Sequence, residues 1–418
     1  MNFSQIANKL RSKITKFSGI LSEKLDKTSR RFVCEALYGI MASESVMLTE
    51  IGRQLESKVS LKKIEERFSR QLCKPELWSC IQDSVLSLAQ GHIKENTLLV
   101  LDLSDICKKY AEKMEYLAGV RDGSEDGNIV DGYWTTQVIA SEVGSSEVVP
   151  MYFSLYSQAA PDFVSENEEI LKTINRVSKS TQNKGIWVID RGGDRDALYE
   201  SLLTHKRQFI IRLVGTRDLV YEGKATRAIW LAHACRLPYK ENLVRLKDGR
   251  ETLHQLRYGA IQVQLPEFNF PLTMVVVKGL GDRPMMLLAS IGEKPEPKLL
   301  WFIIRAYIKR WSIEETIRFV KQTYDLENIR VLKYVRLQNM MALLLAVFYF
   351  VAVILDRAQK LTVMTGHVLE CAKRVFGIPD FKYYALGDGL SSIFKHFPGK
   401  IISPPIKKPN LQLSFGFG

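Results

Sequence analysis

The 418-residue sequence predicts a mixed α/β fold: a catalytic-type sheet core, a helical N-terminal region, a β-rich insertion and a helical C-terminal region. Three observations predict it. Short apolar runs bounded by turn residues, TLLVLDL (97–103), GIWVID (185–190) and RQFIIRL (207–213), have the length and composition of buried strands. Helical periods alternate with the last two of them, as in a sheet covered by helices. Residues 214–291 then return to strand-like alternation with no long helical period, which marks an insertion into that core.

Taken in order, the first 31 residues carry eight Lys or Arg against Glu23 and Asp26, a basic arm or helix suited to phosphates. Up to about Gln90 the pattern is helical. Leu61, Ile64, Phe68 and Leu72 follow a candidate N-cap at Ser60, and with MLTEIGRQLESK before them they suit a helix-turn-helix or a plain bundle equally. Beyond the first apolar run, YWTTQVIASEV (133–143) and VVPMYFSLY (148–156) read as strands. Helices are expected around Glu166 to Ser180 and Asp194 to His205. In the insertion, QLRYGAIQVQL (255–265) and FPLTMVVVKGL (270–280) read as strands, and a helix begins after Pro297.

Residues 337–355 contain no charge over 19 positions, the lower limit for a bilayer span. The run is isolated and follows a charged helix, so a buried core helix is the reading adopted and no membrane partner is expected. The expected organisation is a helical DNA-binding region at 1–92, the sheet core at 93–213, the insertion at 214–293, a core helix at 294–336, a helical region at 337–396 and a mobile tail at 397–418.

Composition narrows the function. With 46% hydrophobic residues the chain is globular, and 59 Lys and Arg against 46 Asp and Glu give +13, which favours a polyanionic partner. Six cysteines show neither a C-x-x-C pair nor a nearby His at ligand spacing, so they read as reduced thiols and not as a zinc site. The N-terminus lacks a signal peptide's apolar stretch, and the cytoplasm, in association with the nucleoid, is the expected location.

YIKRWSIEETIRFVKQ (307–322) is the densest chemistry in the chain. Wound at about 100° per residue, it places Tyr307, Arg310, Glu314 and Lys321 in one stripe about 60° wide, bordered by Trp311 and Arg318. Phe302, Ile313, Ile317 and Val320 form an apolar flank beside it. The same spacing suits ordinary i,i+4 ion pairs, Arg310 with Glu314 and Glu314 with Arg318, so the helix by itself supports two readings. Two carboxylates on strands weigh toward chemistry. Asp102 interrupts LLVLDL, and Asp190 ends GIWVID before the turn RGGD. Two Asp on one sheet and a Glu on a later helix are what a two-metal phosphoryl-transfer site needs, with Arg310 and Lys321 available for phosphates and Tyr307 for a hydroxyl.

The spacing of Tyr307, Arg310, Glu314 and Lys321 resembles the Y-R-E-K signature of bacterial DDE transposases of the insertion sequence 4 family. LDLSD (101–105) and IDRGGD (189–194) resemble the segments that carry that family's two catalytic Asp. The likeness covers roughly residues 97–336. It implies an RNase H-like core interrupted by a β insertion, with Asp102, Asp190 and Glu314 as the metal-binding catalytic triad. It further implies two Mg²⁺ ions, with Mn²⁺ as a substitute, and cut-and-paste cleavage and joining of double-stranded DNA at transposon ends and target, by a homodimer in the DNA complex. Tyr307, Arg310 and Lys321 would grip DNA, Arg318 beside them, and Trp230 in the insertion is the candidate to stack on a flipped base. Where the family often has an aromatic after D-R-G, this chain has Gly193. Asp105 is close enough to Asp102 to compete as the first carboxylate, and Asp194 is placed to support the second. Transposition contends with two alternatives: a domesticated DNA-binding protein and a nuclease without strand transfer.

Overall fold

The computed structural model describes residues 3–121, 127–247, 250–292, 294–355, 368 and 382–405. The chain divides into two compact units: residues 86–110 with 116–318, and residues 1–85 with 111–115 and 319–418.

The first of these is built on one mixed sheet. Its centre is β1 (Leu98–Cys107), flanked by β3 (Ile129–Ser141), antiparallel to it, and β5 (Ile186–Ile189), parallel to it; β2 (Ala118–Arg121) and β4 (Val148–Tyr156) both pair with β3 across from β1. Next to β5 lies β6 (Gln208–Arg212), again parallel. The runs predicted as strands are those the sheet buries: Leu98, Leu99, Val100, Ile186, Val188 and Ile210 have no exposed surface. Helices α6 (Glu166–Thr181) and α7 (Asp196–Thr204) connect β4 to β5 and β5 to β6. Crossovers of this kind are what parallel neighbours require.

The insertion extends the same sheet. The strand β12 (Met285–Ala289) is antiparallel to β6, and β11 (Phe268–Lys278), β10 (Arg250–Leu265) and β7 (Asp218–Tyr221) follow outward, with β8 (Lys224–Arg227) on β7 and β9 (Tyr239–Lys247) on β10. The sequence pattern marks β10 and β11 in this region but not the shorter strands or the helix α8 (Ala228–Ala234). Few of those short segments repeat an apolar period long enough to read. Helix α9 (Pro297–Lys309) opens with its proline in the first turn, packs against β5, β6, β11 and β12, and stacks Trp301 on Tyr258 at 5.9 Å between ring centroids.

In the second unit, α1 (Phe3–Leu21) and α2 (Lys27–Ser43) pack beside α3 (Leu48–Arg53), α4 (Leu61–Gln71) and the start of α5 (Glu76–Gln90). Asp26 caps α2 by accepting from the Thr28 and Ser29 amides at 2.8 and 3.1 Å. Ser60 does precede α4, but its side chain makes no capping bond. The basic N-terminal segment is not all surface: Arg11 and Arg30 are only 6% and 8% exposed, and they donate to the carbonyls of Phe397 and Pro405. Thr15 donates to the Ile402 carbonyl at 2.8 Å. Residues 397–405 are therefore tied down by main-chain acceptors, against the expectation of a mobile tail; 406–418 lie outside the described residues. The uncharged run is a core helix: 89% of its most apolar window, within Tyr334–Leu355, is buried, with Tyr349 and Phe350 stacked or tilted against Phe17. Helix Tyr383–His396 adds Phe394 against Tyr38 at 4.9 Å.

Candidate active site

The register of the parallel strands decides which residues can meet. Leu101 on β1 is level with Ile189 on β5, so Asp102, midway along β1, and Asp190, just past the end of β5, follow as neighbours where the parallel pairing ends. This end of a parallel sheet is where ligands bind in open α/β folds. Side chains alternate along a strand, so Asp105, three residues beyond Asp102, faces the other side. It is 8% exposed and accepts the Cys107 thiol at 3.0 Å. Asp102, not Asp105, is therefore on the face and at the level of Asp190.

Arg310 brings the third to it. Its Nη1 lies 3.2 Å from Asp102 Oδ2 and its Nη2 2.6 Å from Glu314 Oε1, so one guanidinium spans both carboxylates. Burial pushes the Asp102 carboxyl from its ordinary 3.8 up to about 7; Arg310 opposes the shift, and the charges of Asp190 and Glu314 add to it. Asp102 therefore feels both other acids, and the site holds more negative charge than one arginine cancels.

Arg310 also sits where the predicted single helix breaks. Residues 307–322 are not one continuous helix: α9 ends at Lys309 and α10 (Trp311–Thr323) starts after Arg310. The junction is closed by tight i→i+3 bonds, Arg310 N–H to Tyr307 O at 3.1 Å and Ile313 N–H to Arg310 O at 3.0 Å. No proline or glycine causes it, which is why the sequence concealed it; it accompanies the reach of Arg310 to β1. Tyr307 is 1% exposed, and its ring lies 5.7 Å beneath the Arg310 guanidinium. Tyr307 and Arg310 are both buried beside the carboxylates.

The other candidates have surroundings of their own. Arg318 is 56% exposed and pairs with Glu315 at 2.6 Å, not with Glu314. Lys321 bonds Glu327 at 3.1 Å within the helical unit. Trp230, on α8, is 65% exposed.

The turn after Asp190 is held unusually firmly. Asp190 accepts the Gly192 amide at 2.7 Å, opening a single 3₁₀ turn, Arg191–Gly193. A side chain at Gly193 would put its first carbon 2.5 Å from Ile189 Cγ2, so this conformation admits no aromatic there. Arg195 donates to the Gly192 carbonyl at 2.6 Å. Asp194, with no exposed side-chain surface, accepts from Arg217 Nε at 2.7 Å, Tyr199 Oη at 3.1 Å and the Val214 amide at 2.6 Å. Arg217 completes the clamp on the Asp194 carbonyl at 2.9 Å and on Asp196. The sequence marks Asp194 as support for Asp190 but gives no sign of Arg217, which sits in the insertion without a motif around it.

Residues 158–350 match a family model described as a transposase DDE domain. Over that stretch the chain is similar to a transposase DDE domain. Its activity is that of a DNA transposase, an enzyme that cleaves and joins DNA strands. The matched span contains Asp190, Tyr307, Arg310, Glu314 and Lys321; Asp102 stands before it and is placed by strand register and by Arg310. No curated protein sequence matches the chain. Among solved structures, that of a piggyBac transposase synaptic complex with hairpin DNA is similar, with a TM-score of 0.43 at 10% identity, over 97% of this chain and 80% of that one.

Proposed function

We propose that this transposase is a Mg²⁺-dependent cut-and-paste enzyme of the insertion sequence 4 type, with an RNase H-like core, in which Asp102, Asp190 and Glu314 are the catalytic triad. The observation that carries this reading is the convergence of Asp102 and Glu314 on one guanidinium at 3.2 and 2.6 Å, beside Asp190 at the end of the adjacent parallel strand.

The donor set fits the metal. All three groups offer hard carboxylate oxygens, and the charges of Asp190 and Glu314 add to the upward shift that burial imposes on Asp102. Asp102, Asp190 and Glu314 would hold two ions, and Mg²⁺ bound there supplies stabilisation of the charge that develops on a phosphodiester under attack. Arg310 neutralises the acids in the metal-free protein; once cations take over that role, its planar fork is available to a phosphate of the cut strand. Tyr307 orients that arginine from beneath. Lys321 and Arg318 add phosphate contacts further along the helix, and Trp230, more exposed than the insertion's Phe270 and Tyr221, is available to stack on an unpaired base. A homodimer is the expected assembly on paired transposon ends.

Product analysis tests the reaction. Purified protein, its transposon-end duplex, a target plasmid and Mg²⁺ should yield end cleavage and joined target DNA. Free ends without joined product would indicate a nuclease, and binding with no Mg²⁺-dependent product would indicate a domesticated DNA-binding protein.

A further inference from the structure

The insertion presents a row of positive charge that the active site does not use. Lys240 on β9 is paired in register with Arg257 on β10, and Arg257 with Lys278 on β11. Directly opposed residues of antiparallel strands point to the same face, so three cations stand side by side, about 10 Å from end to end at the usual strand spacing. All three are exposed, and none forms an ion pair among the described residues. Same-face neighbours offer no carboxylate: Asn242 and Gln255 fill the next paired positions, Val244 and Leu253 the ones after, and Gly259 and Val276 the positions on the inner side. The opposite face is the covered one, where Tyr258 is 3% exposed against Trp301.

Like charges opposed across a ladder are destabilising. Nothing in the packing of this face calls for them, and a solvent-facing sheet would be satisfied by alternating charges. Three neighbouring cations, flanked by two exposed amides, complement a polyanion whose charges recur at short intervals.

We propose that Lys240, Arg257 and Lys278 form a docking row for the phosphate backbone of duplex DNA, a surface on the insertion separate from the catalytic carboxylates. The proposal rests on the transposase reading. The row positions the duplex and reads no bases, since lysine and arginine on phosphates carry register without sequence information.

Binding to the transposon-end duplex, measured at 50 and 200 mM salt for wild type and for the triple variant Lys240→Gln, Arg257→Gln, Lys278→Gln, tests it. Each phosphate left without its cation takes about 0.9 from the slope of log affinity against log salt, so three of them lower the slope by about 2.7. The wild-type advantage should therefore shrink roughly 40-fold between the two salt concentrations. The variant Lys240→Arg, Arg257→Lys, Lys278→Arg should keep the wild-type slope, and both variants should melt no lower than wild type because the residues are exposed. An unchanged slope in the neutral triple variant, with salt-dependent wild-type binding and Mg²⁺-dependent cleavage, overturns the docking row and leaves the transposase reading standing. Wild-type protein that neither binds nor cuts the duplex overturns both.

Discussion

Replacing Glu314 by Gln is expected to lower the rate of Mg²⁺-dependent cleavage at a transposon end by at least about a thousandfold, the equivalent of about 4 kcal/mol of transition-state stabilisation. The side chain is 48% exposed and its partner Arg310 keeps Asp102, so the fold has no reason to weaken. The effect should appear in the cleavage rate, read by denaturing electrophoresis of end-labelled duplex, with DNA affinity within about threefold of wild type. Cleavage undiminished by Glu314→Gln would remove α10 from the chemistry and return the helix to its alternative reading, a face held by ordinary ion pairs.

Asp194→Ala should instead cost the fold. It breaks a pair whose carboxylate has no exposed surface, and it leaves the Val214 amide, the Tyr199 hydroxyl and much of the Arg217 guanidinium without their acceptor. Removing one partner of such a pair typically costs about 3–5 kcal/mol. For a unit of this size the melting midpoint should fall by roughly 10 °C, measurable by calorimetry. The turn that carries Asp190 is fastened to the entry of the insertion through this cluster, so activity should fall even below the melting transition. A midpoint within about 2 °C of wild type would show that the clamp contributes little.

The two expectations separate what the sequence disclosed from what it hid. Asp102 and Asp190 were legible because a carboxylate inside or at the end of an apolar run is conspicuous, and strand register then makes them neighbours. Glu314 was legible through its spacing to Tyr307, Arg310 and Lys321. The break at Arg310 was not, because no local breaker marks it and the bond that accompanies it reaches β1, more than two hundred residues away. Arg217 and the cation row were invisible for a related reason: each depends on pairing between segments whose partners no local pattern specifies. The inward turn of Arg11 and Arg30 likewise needed the carbonyls of 397–405, which composition alone made look mobile.

Titration of Mn²⁺ into the protein bound to its transposon-end duplex, followed by calorimetry for wild type and for Asp102→Asn, Asp190→Asn and Glu314→Gln, tests the shared metal site most directly. The triad predicts that wild type binds the ion and that each single substitution weakens binding by at least about tenfold, since each removes one of few charged ligands. Wild-type affinity in any one of the three variants would contradict it.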